Sequence, residues 1–280
     1  MGGFVMLPSE PVTPLSPARL LGGFGSGAAI GIVGGLIGLG GAEIRLPVLI
    51  AFGFDALPAV ILNRALSLVV VASALPFRAE AVPYADVAAH GPIILTMLAG
   101  SLAGAFAGAT YATRFASRTL FRAIAVLLLV TAVLLVAGGD PELRHMPVDG
   151  TVRVVAGVAA GFAIGLAVAM MGVAGGELLV PTLVLLFSLP VKLAGSVALV
   201  IALPTILVGF ARFGRDNTIG VIRDNAPFLG VMVAGSITGT FIGGQLLGIL
   251  PSVVLLPLLG LILVASAVKI WRHSTRQDHA

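Results

Sequence analysis

The chain has 280 residues, 58% hydrophobic and 10% charged, with a net charge of +4. A soluble domain carries about 25% charged residues, so there are too few polar side chains here to coat a water-soluble surface, and a mean hydropathy of +1.13 places the chain in a membrane. The basic balance does not point to nucleic acid, because Lys and Arg stand at the ends of apolar segments, where cytoplasmic loops are basic; with no cysteine, disulfides and thiolate metal sites are excluded.

The first 17 residues hold Pro8, Pro11, Pro14 and Pro17 but no Lys or Arg. They lack the basic start of a signal peptide, and a disordered tail is expected over 1–17. Ten apolar segments follow. Five lie at 18–37, 43–54, 58–77, 90–111 and 119–138. After an inter-repeat loop at 139–150, five more lie at 151–171, 177–188, 191–211, 226–248 and 251–271, with a tail at 272–280. The second and seventh are short. A span needs about 20 residues, whereas about 10–14 suit a re-entrant or half-helix. The expected class is an all-α integral membrane protein with 8–10 crossing segments, depending on whether the short ones cross.

The halves, 18–138 and 151–271, repeat each other. "GLGGAEIRLP" (Gly38 to Pro47) matches "GVAGGELLVP" (Gly172 to Pro181), pairing Gly38 with Gly172, Gly41 with Gly175, Glu43 with Glu177 and Pro47 with Pro181. "GSLAGAFAG" (Gly100 to Gly108) matches "GSITGTFIG" (Gly235 to Gly243). Internal duplication marks many secondary transporters. Arg114, Arg118 and Arg122 occupy one loop whose repeat partner has no basic residue, while Arg212, Arg215 and Arg223 occupy another whose partner holds only Arg78. Charge that alternates between equivalent loops predicts inverted repeats, with both termini in the cytoplasm.

The spacing of Gly100, Gly104 and Gly108, and of Gly235, Gly239 and Gly243, predicts close helix packing in the repeat interface. The Gly38–Gly41 and Gly172–Gly176 clusters are different, because each precedes a short segment. A break there exposes backbone groups that must line protein or a wet cavity, and half-helix N-termini at Gly40, Gly41, Gly175 and Gly176 suit an anion. Glu43 and Glu177 are expensive in a bilayer. They are candidate proton-coupling acids, or caps on the helix dipole. Arg45 and Arg64 have no charged counterpart in the second half, where Leu179 and Ser196 stand. Arginine can hold an oxyanion through two hydrogen bonds; the alternative for Arg64 is a structural pair with Glu43. Asn63 and Ser196 are neutral candidates, joined by Ser67 and Thr205. Neither a metal cluster nor HExxH, GxSG or GxGD is visible, so neither catalysis nor a cofactor is expected.

On "GIVGGLIGLGGAEIRLPVLIAFG", "GLAVAMMGVAGGELLVPTLVLLF" and "KLAGSVAL", the sequence resembles the TauE/SafE family of sulfite exporters over about 18–271. The resemblance implies an ion-coupled carrier of sulfur-containing anions, sulfite or organosulfonates, in the bacterial inner membrane. The expected partners are a small anion, a coupling ion (H+) and the lipid bilayer. Homo-oligomerisation stays open, as do a passive anion channel and a carrier for a small carboxylate.

Overall fold

The computed structural model of the protein describes residues 16–111, 126, 129–130, 132–133, 150–171, 175–211 and 215–276. Every secondary-structure element among them is helical. In chain order these are α1 (Pro17–Val33), a π-helical turn (Gly34–Gly38), α2 (Ala42–Ala51), α3 (Ala56–Arg78), α4 (Tyr84–Ala89) and α5 (Gly91–Tyr111). The second half has α6 (Gly150–Met171), α7 (Gly176–Phe187), α8 (Val191–Ala211), α9 (Arg215–Asp224), α10 (Ala226–Ile249) and α11 (Ser252–Arg276). Among the described residues six helices are long and apolar enough to cross a bilayer: Pro17–Gly38, Leu57–Arg78, Gly91–Thr110, Gly150–Ala169, Val191–Ala211 and Ala226–Ile249. The protein is therefore an all-α, multi-pass membrane protein. Most of the fifth segment, 119–138, lies outside the described residues, as do Gly172 and the loop bearing Arg114, Arg118 and Arg122.

Local chemistry sets the boundaries. α1 starts at Pro17, a favoured first helical residue, and the Ser16 side chain accepts a hydrogen bond from the Arg19 N–H at 3.2 Å. Pro17 thus belongs to the helix rather than to the expected tail. At the other end, α11 runs on through 272–276, also expected as tail; basic residues suit the last turns of a helix, where they meet the negative end of its dipole.

The glycine rows are where the halves join. A Cβ on Gly235, Gly239 or Gly243 would meet the backbone of Phe24, Ala28 or Ile32 of α1. One on Gly100, Gly104 or Gly108 would meet the backbone of Val158, Phe162 or Leu166 of α6. The first helix of each half therefore lies backbone to backbone against the fifth helix of the other. This is the close packing that small residues permit where lipid supplies no hydrophobic drive.

The same contacts establish direction. Both rows ascend together, so α1 runs parallel to α10 and α5 parallel to α6. α3 also follows α10: Ser73 and Thr240 share a hydrogen bond of 3.0 Å, and four residues on, Phe77 lies against Gly244. Hence α1 and α3 point the same way, and α2 must return the chain between them. Gly41, at its start, lies against Ile30; Phe52, past its end, lies against Gly22, and the Arg19 guanidinium sits 5.2 Å from the Phe54 ring. The near face is the membrane face where α1 begins, and the far face is the opposite one. α3 ends at the far face, where Arg78 Nη2 donates to the Lys192 carbonyl near the start of α8 at 2.7 Å. Two spans in one bilayer that meet end to start run in opposite directions. Since α8 is the repeat equivalent of α3, the halves are inverted. If the first short segment did not return the chain, α1 and α3 would be opposed, which their shared direction along α10 does not allow.

Candidate functional site

Both short helices begin on a left-handed glycine, Gly41 at φ 66° and Gly175 at φ 74°. An L-residue with a side chain rarely adopts that conformation, which explains why the duplicated motif keeps glycine there. No side chain caps either start, and each first turn carries its acid, Glu43 or Glu177, favourably placed in the helix dipole. Pro47 and Pro181 stand four residues further on. Having no N–H, neither proline can make the helical bond to the carbonyl four residues back, so acid and proline recur together in both halves. Gly40, Gly41, Gly175 and Gly176 are all buried. The two breaks touch: a Cβ on Gly176 would lie 3.0 Å from the Gly38 carbonyl oxygen, and Gly38 itself (φ 90°) lies against Gly195 of α8.

Around this junction the first half builds a polar cluster. Arg45, on α2, is fully buried, and its Nη1 donates to Ser67 Oγ of α3 at 3.0 Å. Ser67 Oγ in turn donates to the Asn63 carbonyl at 2.8 Å. The Nε and Nη2 of Arg45 and the Oδ1 of Asn63 are buried with no hydrogen-bond partner among the described residues. Buried polar groups are ordinarily satisfied. Two N–H-bearing atoms of one guanidinium left open in this way can receive an oxyanion. Arg64 is also buried, and its Nη2 donates to the Ala169 carbonyl, in the last turn of α6, at 2.9 Å. That bond crosses between the halves and holds a carbonyl that the end of a helix would otherwise leave open.

The second half does not repeat the cluster. Leu179 stands for Arg45, Gly195 for Asn63, Ser196 for Arg64 and Leu199 for Ser67. Leu179 and Leu199 are both fully buried. An apolar pair therefore packs this position adequately, and the Arg45–Ser67 pair is more than the fold needs.

Sequence reading missed Arg78. It ends an apolar segment and looks like a loop charge, yet it is 1% exposed. Its Nη1 donates to the Gly35 carbonyl (2.6 Å) and the Leu36 carbonyl (3.0 Å), its Nη2 to the Lys192 carbonyl (2.7 Å) and its Nε to Ser196 Oγ (3.0 Å). Ser196 thus serves Arg78, and a Cβ on Gly195 would lie 2.6 Å from its guanidinium. The only hint in the sequence is Gly195 beside Ser196, room and an acceptor where the first half has Asn63 and Arg64.

Glu43 and Glu177 are each 6% exposed but differ in surroundings. Glu43 lines a groove of about 400 Å³ between α2 and α11, with Pro47, Ile262 and Ser266. Glu177 heads a run, Gly176–Pro181, that is buried throughout. Among the described residues no group of three or more His, Asp or Glu is placed to hold a metal ion.

No curated protein and no solved structure matches the chain. The family model described as sulfite exporter TauE/SafE matches residues 23–270, the whole of the paired-break architecture and its buried cluster, and on that match the chain belongs to the TauE/SafE family of membrane transport proteins.

Proposed function

We propose that the protein is a secondary-active carrier for a small sulfur oxyanion or organosulfonate, coupled to protons, with Arg45 at the centre of its anion site. The observation that carries this reading is the open pair of Arg45 donors inside a buried cluster that the other half replaces with leucine. Charge balance supports it. The buried charged side chains described are Arg45, Arg64 and Arg78 against Glu43 and Glu177, so with all of them ionised one further negative charge neutralises the interior. A monoanionic sulfonate or hydrogensulfite supplies that charge. The test is uptake in proteoliposomes for a panel of sulfite, sulfonates and carboxylates, with and without a pH gradient. Saturable flux with counterflow for a sulfur oxyanion is expected; non-saturable flux would make it a channel, and preference for carboxylates would move the substrate class.

Of the two acids, Glu43 is assigned the proton-coupling role, because it borders the groove while Glu177 heads a buried helix. Glu43→Gln keeps the shape and removes titration. It should abolish pH-driven accumulation and retain downhill exchange, with Glu177→Gln affected less. Normal accumulation by Glu43→Gln would remove this acid from coupling.

For orientation we assign the near face to the cytoplasm of a cell with the protein in its inner membrane, with both termini inside. Burial of Arg78 strengthens the charge bias, since this arginine no longer counts as an outer-loop charge. In intact cells a single cysteine at Ser117 should resist impermeant thiol reagents, and one at Glu142 should react. The opposite pattern would reverse the assignment.

A further inference from the structure

We propose that Arg78 is a positioning residue that latches the far face of the carrier: it ties the break of α1 and the end of α3, both from the first half, to the start of α8 in the second. Three of its four bonds go to backbone carbonyls, and two of those belong to the π-helical turn. Those carbonyls have no lipid or water to turn to within a bilayer. The contact is therefore strong when made, and it is concentrated in one side chain. Deeper in the bilayer the halves are tied differently, by Arg64 on the Ala169 carbonyl. Both arginines come from α3, a 23-residue helix. One helix thus grips the broken helix of each half, at two levels of the membrane.

A carrier must open its two faces in turn. The geometry assigns the far-face step to release of Arg78, with Ser196 and the small Gly195 forming its seat. The inference rests on the carrier reading for its role in transport, while the latch itself is read without any substrate.

The native chain has no cysteine, so single reporters are clean. Ala194→Cys, in the first turn of α8, reports the far face, and Ala59→Cys, in the first turn of α3, reports the near face; both alanines are 0% exposed. The rate of reaction with a polar methanethiosulfonate is measured on full-length protein in lipid nanodiscs, with Arg78 native, Arg78→Lys or Ser196→Ala. Lysine keeps the charge but loses the planar fork. Arg78→Lys should raise the Ala194→Cys rate by roughly 10–150-fold, the change that loss of one charge-assisted bond produces. Ser196→Ala, which removes a single acceptor and no backbone contact, should raise it less. The Ala59→Cys rate should stay level or fall, which general loosening would not produce. Unchanged Ala194→Cys rates in both variants, or equal rises at both reporters, would overturn the latch. Absence of anion counterflow in the native protein would instead overturn the carrier reading, and the labelling rates would still decide the latch.

Discussion

Replacing Arg45 and Ser67 together by leucine is expected to leave a folded protein that no longer binds its anion. The second half supplies the precedent, because Leu179 and Leu199 hold the same positions in full burial. A guanidinium with two open donors is a poor stabiliser, since each unsatisfied buried group costs about 1–3 kcal/mol. Substituting well-packed apolar side chains for buried charge is often neutral, or stabilising by about 1–4 kcal/mol. Thermal stability should therefore hold or rise. Affinity should move the other way. Each charge-assisted bond to the oxyanion contributes about 1.5–3 kcal/mol, so losing one lowers affinity roughly 10–150-fold and losing both lowers it more. The single variant Arg45→Leu takes the donor from the Ser67 oxygen while its own bond to the Asn63 carbonyl remains, and should fall slightly below the double in stability. Melting temperature and substrate affinity measured on the same purified samples decide the matter. A double variant that is stable and binds normally would take Arg45 out of the site.

Gly104→Val and Gly239→Val are expected to prevent the protein from accumulating in folded form. A side chain at either position would run into backbone, that of Phe162 or of Ala28, rather than into a movable side chain. Overpacking a core that can rearrange costs about 1–3 kcal/mol. Here the helices themselves must separate, and with them the α1–α10 and α5–α6 seams that join the halves. Gly248→Ala is the control: nothing lies within 4 Å of a Cβ there, and alanine is the better helix former by about 1 kcal/mol. Monodisperse yield from detergent extracts should collapse for the two valines and hold for Gly248→Ala. Normal yield for Gly104→Val would mean that α5 and α6 do not lie in backbone contact.

Much of the fold was legible because its signals are local. Apolar length marks spans, and a dozen apolar residues after a glycine cluster mark a short helix; α2 and α7 appeared where expected. Glycines four apart mark a packing face whatever the partner. Duplication supplied the pairing of Glu43 with Glu177, and the unmatched Arg45 and Arg64 stood out because no counterpart exists in the other half. Residues 43–45 and 63–64 are therefore visible as an anomaly in one dimension.

Other features depended on distance across the fold. Segment length left the number of crossings open between eight and ten. The direction of α3 relative to α1 shows that α2 returns the chain between them, and that follows from where glycine backbones touch. The sequence placed Arg64 in apolar surroundings. The bond described for it reaches the Ala169 carbonyl, 105 positions away, and a broken helix creates such an acceptor without any residue to announce it. Arg78 shows the same limit more sharply. At the end of a span a charged residue normally faces water, and hydropathy reads it so. Only the inverted packing of α8 on α3 closes over it, turning a loop charge into a buried tie whose partners are mostly carbonyls, and carbonyls are the same in every sequence.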